Sequence, residues 1–329
     1  MILNTMLPNT PYFHNEFQQD LDQVNQVIAE QVKSGVVLIE QIGNHIIYSG
    51  GKRMRPIIAV LSGKVLGYTR TELYRQAAMV EFIHTSTLLH DDVVDESDKR
   101  RGKDTANNLF GNAAAVLVGD FLYTRAFQLM VGADSMKLMK IMADATNVIA
   151  AGEVMQLMNI GNVDLSEDAY LEVIKSKTAK LFEAAAQIGA VLANAPAEQE
   201  LALKNYGMLL GTVFQIVDDI LDYVGDEETI GKNLGDDLAE GKATLPLIYL
   251  MRQGSPQAAA AVKDALTNGR REKFAEIRDF VLNSGALPYC RRVTEKMADD
   301  AVACLSALPD NEYRQTLAEI VKQSVIRER

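Results

Sequence analysis

Twice along its 329 residues the chain runs an apolar, helix-spaced stretch into the same cluster of carboxylates. One copy reads Asp91-Asp92-Val93-Val94-Asp95 and the other Asp218-Asp219-Ile220-Leu221-Asp222. At roughly 100° per residue, the first and last aspartates of each copy fall about 40° apart on one helix face. Three carboxylates crowded into one turn repel each other and weaken an isolated helix, so a cation should accompany them. Mg²⁺ fits, because it takes hard oxygen ligands and bridges one or two carboxylates to substrate phosphates. A lone copy reads most economically as a solvated acidic helix end. Two copies, the second among Ile216, Val217, Ile220 and Leu221 on a core helix, favour a pair of helices facing each other across a cavity.

The rest of the chain also favours helix. Apolar residues recur at helical spacing between short turns, and no run alternates like a strand. Aromatics make up only 6%, Trp is absent, and Ala, Leu and Met are plentiful. The spacing predicts helices over 16–35, 56–66 (opened by Pro56 and closed by Gly67), and from a Thr69/Glu72 capping box to Asp91. Others are expected at 112–131, 135–160, 167–193 and 196–224, the last stopped by Gly225. Residues 244–329 read as further helices with turns near Gly254, Gly269 and Pro309. With no linker or composition break, 1–329 is expected to be one all-α domain, a helical bundle around a central cavity. Residues 1–15, with Pro8 and Pro11, form an irregular arm before the first helix.

The formal charge of -11 excludes a general attraction for nucleic acid or anionic lipid. The N-terminus lacks the basic and apolar regions of a signal peptide, and no stretch approaches the length of a membrane span. Cys290 and Cys304 have no metal-ligand spacing and read as reduced thiols, so a cytoplasmic location is expected.

Against so acidic a background the basic clusters stand out. Lys52 and Arg55 follow the Gly50-Gly51 turn at a helix start, where free N–H groups and flanking cations suit a diphosphate. Taken alone, that segment is as readily a basic surface loop. Lys99, Arg100 and Arg101 follow the first acidic motif directly; Lys177-Thr178, Lys232 and Lys242 add further cationic and polar groups. Gln215 lies one turn before Asp218, and His84 lies two turns before Asp91 on the same face.

In order along the chain, the segments GGKRMRP (50–56), EFIHTSTLLHDDVVDE (81–96), KRRGK (99–103), KTAKLF (177–182), FQIVDDILD (214–222) and GKNLGDDLAEGKATLP (231–246) resemble the trans-isoprenyl diphosphate synthase family. Residues 81–128 are most similar to its bacterial branch that makes octaprenyl diphosphate for the ubiquinone side chain. The resemblance implies an isoprenoid-synthase fold, Mg²⁺ and a homodimer. It implies that Lys52, Arg55, His84 and Arg101 hold isopentenyl diphosphate. Arg100, Lys177, Thr178, Gln215 and Lys232 would hold the allylic diphosphate, farnesyl diphosphate being the expected primer. Asp91, Asp92, Asp95, Asp218, Asp219 and Asp222 would supply the metal sites, with Asp91, Asp95 and Asp218 as the most direct ligands. Catalysis would fall to Asp91, Asp92, Asp95, Arg100, Lys177 and Asp218.

The expected chemistry is ionisation, condensation and elimination, with no protein nucleophile. One turn below Asp91, Ser86 and Thr87 are small, where short-chain members commonly place an aromatic; the expectation is an open tunnel and a long product. Tyr123, Phe127, Met130 and Met142 are candidates for its floor, although plain core packing is the preferred reading of each. A class I terpene cyclase, a short-chain synthase and a non-catalytic partner subunit remain alternatives. The intact pair of acidic motifs and the Lys52/Arg55 cluster argue against the first and last.

Overall fold

The computed structural model describes residues 17–100, 102–225 and 234–326. The chain begins with α1 (Phe17–Gln31), α2 (Val37–Ile47), α3 (Met54–Lys64) and α4 (Glu72–Val94). A two-residue antiparallel pair, β1 (Lys99–Arg100) and β2 (Lys103–Asp104), then folds back beneath the end of α4. The short α5 (Ala106–Phe110) leads to α6 (Asn112–Gly132) and α7 (Met136–Met158). Next come α8 (Glu167–Ile174), a π turn at Lys175–Ala179, α9 (Lys180–Leu192) and α10 (Ala197–Val224). The C-terminal part holds α11 (Asp236–Ala239), α12 (Leu245–Gln253), α13 (Pro256–Asn268), α14 (Phe274–Asn283), α15 (Ala286–Cys304) and α16 (Glu312–Ile326). The all-α expectation holds, the small hairpin apart.

Two helices organise the packing. α4 is buried on nearly every side, which is why its sequence shows little amphipathic contrast; it packs on α6 and α3. α10 runs between α9 and α15 and links two apolar clusters, one around Tyr206 and Leu210, the other around Ile216 and Ile220. Close helix approach depends on glycine where α10 meets the π turn. A Cβ on Gly211 would lie 2.5 Å from the Cα of Ala179. On α7, a Cβ on Gly152 would lie 2.7 Å from the backbone nitrogen of Lys177.

Several local expectations change. The Thr69/Glu72 capping box does not form: α4 starts at Glu72 with Thr71 as its cap residue, and the Glu72 carboxylate instead accepts a 2.6 Å bond from Gln76 Nε2. α3 starts two residues before Pro56, which costs nothing because the first N–H groups of a helix have no partner within it. Gly225 caps α10 in an extended conformation (φ -72°, ψ 177°) and not a left-handed one. The helix expected over 167–193 is interrupted by the π turn, and α2 was not anticipated. α6 is long and apolar enough to cross a membrane by length and composition, contrary to the expectation that no stretch would be. It lays Ala115, Gly119, Leu122 and Ala126 on the core and leaves Leu117 and Val131 exposed. The irregular arm expected over 1–15 lies outside the described residues.

Candidate active site

The end of α4 points its first acidic motif toward the π turn and the Lys242 segment. Asp91 and Asp95 are half-buried, whereas Asp92, rotated by one residue, is fully buried. The hairpin carries Arg100 back to this helix end, where its Nε and Nη2 donate to Asp92 Oδ1 at 2.8 and 2.7 Å. The other oxygen, Asp92 Oδ2, is buried with no hydrogen-bond partner. Lys242 Nζ lies 3.4 Å from Asp95 Oδ2 and also pairs with Glu240.

Burial raises the Asp91 carboxyl above its ordinary range; Lys177 draws it back and Asp95 pushes it further up. Burial works against the Lys242 ammonium, but Glu240, Asp237 and Asp95 outweigh it and hold the charge. Cations thus converge on the first motif without neutralising Asp91 completely.

The second motif is built differently. Asp219 is buried and accepts from Tyr170 Oη at 2.6 Å and from Gln215 Nε2 at 2.8 Å. Gln215 in turn accepts from Thr178 Oγ1 at 2.8 Å, which ties α10 to the π turn. Burial, with Asp237 nearby, pushes the Asp219 carboxyl up to about 8, even though Tyr170 and Gln215 favour its charged form. Asp222 is buried and accepts from the backbone N–H of Gly235 at 3.0 Å. Asp218 is half-buried on the neighbouring face.

Lys177, beside Asp91, bonds Glu153 of α7 at 2.7 Å. A π turn shifts the helix register by one residue, and here it delivers Lys177 and Thr178 in succession toward α7 and α10. Between these elements lies a cavity of about 130 Å³, lined among others by Gln156, Lys177, Thr178, Gln215, Asp219 and Lys242. A second polar group sits further down α4. Arg55 Nη1 lies 3.3 Å from His84 Nε2, and its guanidinium stacks 4.4 Å from the centre of the Phe182 ring. Lys52 is half-buried in the turn before α3. Arg101 and Lys232 lie outside the described residues.

Among the described residues no three carboxylate, histidine or cysteine groups converge tightly enough to hold a metal ion unaided. That arrangement suits a cation that keeps waters and is completed by substrate phosphate oxygens. The donors fit such an ion: hard oxygens on one helix face, crowded and partly desolvated at Asp91.

Glu153, Tyr170 and Lys242 belong to this site, although the sequence reading gave the first two no role and left Lys242 as a flanking cation. A charged residue after Gly152 within the apolar stretch 147–158 was the available signal for Glu153. Ser86 is buried and donates to the Gly119 carbonyl of α6 at 2.8 Å, while Thr87 bonds the His84 carbonyl of its own helix. Met130 and Met142 are buried in the same apolar cluster, with Tyr123 and Phe127 packed against it.

The polyprenyl synthetase family model matches residues 36–281. The chain belongs to the polyprenyl synthetase family. It is therefore a prenyltransferase, of a family whose substrates are isopentenyl and allylic diphosphates. It is 51% identical over 312 residues to octaprenyl diphosphate synthase of Escherichia coli K12, covering 94% of this chain and 97% of that one. It is also 51% identical over 309 residues to octaprenyl diphosphate synthase of Haemophilus influenzae, covering 94% of each. The crystal structure of a Caulobacter crescentus CB15 polyprenyl synthase, complexed with calcium and isoprenyl diphosphate, superposes with a TM-score of 0.92. That protein is 44% identical, and the match covers 95% of this chain and 96% of the other.

Proposed function

We propose that this chain is a trans-octaprenyl diphosphate synthase, one polyprenyl synthase domain that extends farnesyl diphosphate with isopentenyl diphosphate for a ubiquinone side chain. The observation that carries the reading is the meeting of Asp91, Asp95, Lys177 and Lys242, from three separate parts of the chain, beside a polar cavity that Asp219 also lines. Asp91, Asp95 and Asp218 are the half-buried carboxylates that would hold Mg²⁺, which supplies Lewis-acid neutralisation of the diphosphate oxygens when bound. Asp92, Asp219 and Asp222 belong to the predicted metal set, but their internal bonds suit them to hold the motifs in place.

Lys177, Arg100 and Lys242 surround the allylic diphosphate, and their charge favours the departure of that group as its C–O bond breaks. Thr178 and Gln215 orient it, and Lys232 is a further residue assigned to this diphosphate. Lys52, Arg55, His84 and Arg101 hold the second diphosphate so that the isopentenyl double bond attacks the allylic cation. A proton then passes to the released diphosphate, which restores an allylic product. The absence of an aromatic at Ser86 supports the long product.

Leu117 and Val131 on α6 and Met136, Leu157 and Met158 on α7 each leave more than half their surface exposed. Exposed apolar side chains on these two helices support a homodimer, and the reduced cysteines support a cytoplasmic location. Diphosphate release with both substrates and Mg²⁺ tests the chemistry. Release is expected to vanish when isopentenyl diphosphate is omitted, and release that continues without it would point to a cyclase.

A further inference from the structure

Arg53 sits between two of the residues assigned above to isopentenyl diphosphate, yet its guanidinium is bonded to Glu81 and to the Ile47 carbonyl. The turn leading into α3 is conformationally costly. Gly50 and Gly51 have φ of 98° and 137°, and Arg53 itself takes a left-handed conformation with φ 49° and ψ 33°. Only glycine enters that region without a steric penalty, so an arginine there needs compensating bonds.

Those bonds come from one guanidinium. Arg53 Nη1 donates to Glu81 Oε1 of α4 at 2.5 Å, and Nη2 donates to the Ile47 carbonyl at the end of α2 at 2.6 Å. The ion pair is nearly sealed from solvent, with side-chain exposures of 10% for Arg53 and 5% for Glu81. A planar fork can satisfy a carboxylate and a carbonyl at once; a lysine ammonium lacks that fixed geometry. One turn further along α4, His84 meets Arg55. The same helix continues to Asp91 and Asp95, so α4 acts as a ruler: Glu81 and His84 register the basic turn, and Asp91 begins the acidic motif.

We propose that Arg53 is a positioning residue. Its pair with Glu81 fixes Lys52 and Arg55 at a set distance from His84 and the acidic end of α4, and thereby sets the affinity for isopentenyl diphosphate. The inference rests on the proposed assignment of Lys52 and Arg55 to that substrate.

The test compares Arg53→Lys with the double variant Arg53→Met/Glu81→Leu, which replaces the ion pair by apolar packing and leaves no buried charge alone. Thermal unfolding and steady-state kinetics are measured with farnesyl and isopentenyl diphosphates varied separately. Both variants are expected to raise the KM for isopentenyl diphosphate by about tenfold, while the KM for farnesyl diphosphate changes by less than about twofold. The double variant should regain most of the melting temperature and none of that KM. A double variant with wild-type KM for isopentenyl diphosphate would overturn the proposal, because the pair would then be only structural. Equal rises for both substrates would overturn it too. Arg55→Ala separates the two levels. If Arg55→Ala leaves the isopentenyl diphosphate KM unchanged, the site assignment fails and the positioning role fails with it; if it raises that KM while the Arg53 variants do not, only the positioning role fails.

Discussion

The two acidic motifs have the same spelling and different interiors. In the first, the middle carboxylate is held by a cation: Asp92 takes both Arg100 bonds on one oxygen. In the second, the middle carboxylate is held by neutral groups, the Tyr170 hydroxyl and the Gln215 amide. Burial and the neighbouring Asp237 carboxylate push the Asp219 carboxyl up to about 8, and its two neutral donors offset that only in part. The repeat therefore divides the work. The end of α4 is ringed by cations, Arg100, Lys177 and Lys242. The end of α10 is fixed to its neighbours by a hydrogen-bonded chain that runs through Thr178 to the π turn.

The largest expected effect lies at the front of the first motif. Asp91→Ala should reduce diphosphate release by about a thousandfold or more, since the role proposed for Asp91 is to hold the ion that neutralises the departing diphosphate. Wild-type turnover in that variant would remove the first motif from the chemistry. Exchanging the middle aspartates should separate the motifs next. Asp92→Ala leaves Arg100 without its partner and is expected to cost about 2–3 kcal/mol in urea unfolding, less than a fully sealed pair because Arg100 keeps 28% of its side chain exposed. Asp219→Asn keeps most of its bonding and should cost about 1 kcal/mol or less. Similar costs at the two positions would erase the contrast.

The pH dependence sharpens the same comparison. In the folded chain Asp219 keeps a proton up to about pH 8, whereas its ordinary value is 3.8. Stability from this group is complete below the ordinary value and is lost as pH rises through the folded one. With a chelator present, the wild type should therefore lose more stability than Asp219→Asn between about pH 5 and pH 8. Parallel curves would show that Asp219 titrates normally. A comparably small effect is expected from Tyr170→Phe, which removes one of the two Asp219 donors: about 1 kcal/mol of stability, read by the same urea titration. A loss as large as that of Asp92→Ala would mean that the neutral chain bears as much as the ion pair.

Helical spacing alone was enough to place most long helices, because α6, α7 and α10 carry continuous apolar patterns with clear stops. It was also enough to align Asp91 with Asp95 and with His84. Three features were not legible. The π turn leaves no periodic trace, since it adds one residue to an otherwise regular helix; Gly152 and Gly211 pack closely against it. Glu153 and Tyr170 act through partners 24 and 49 residues away in sequence (153 to 177, and 170 to 219), and no local pattern announces such pairs. Which aspartate of a motif faces inward depends on the neighbouring helices. Spacing aligned Asp91 with Asp95, the family resemblance added Asp92 to them, and packing sets Asp92 apart as the fully buried one.

The central reading is that these two helix ends serve one site that lengthens a prenyl chain many times. Its most direct test is the mass spectrum of the product made from farnesyl diphosphate, isopentenyl diphosphate and Mg²⁺. A dominant eight-unit prenyl diphosphate is the expected result, and a bulkier Ser86→Tyr side chain should shorten it. A wild-type product that stops after a single addition would contradict the long-chain assignment, and no elongated product at all would contradict the site itself.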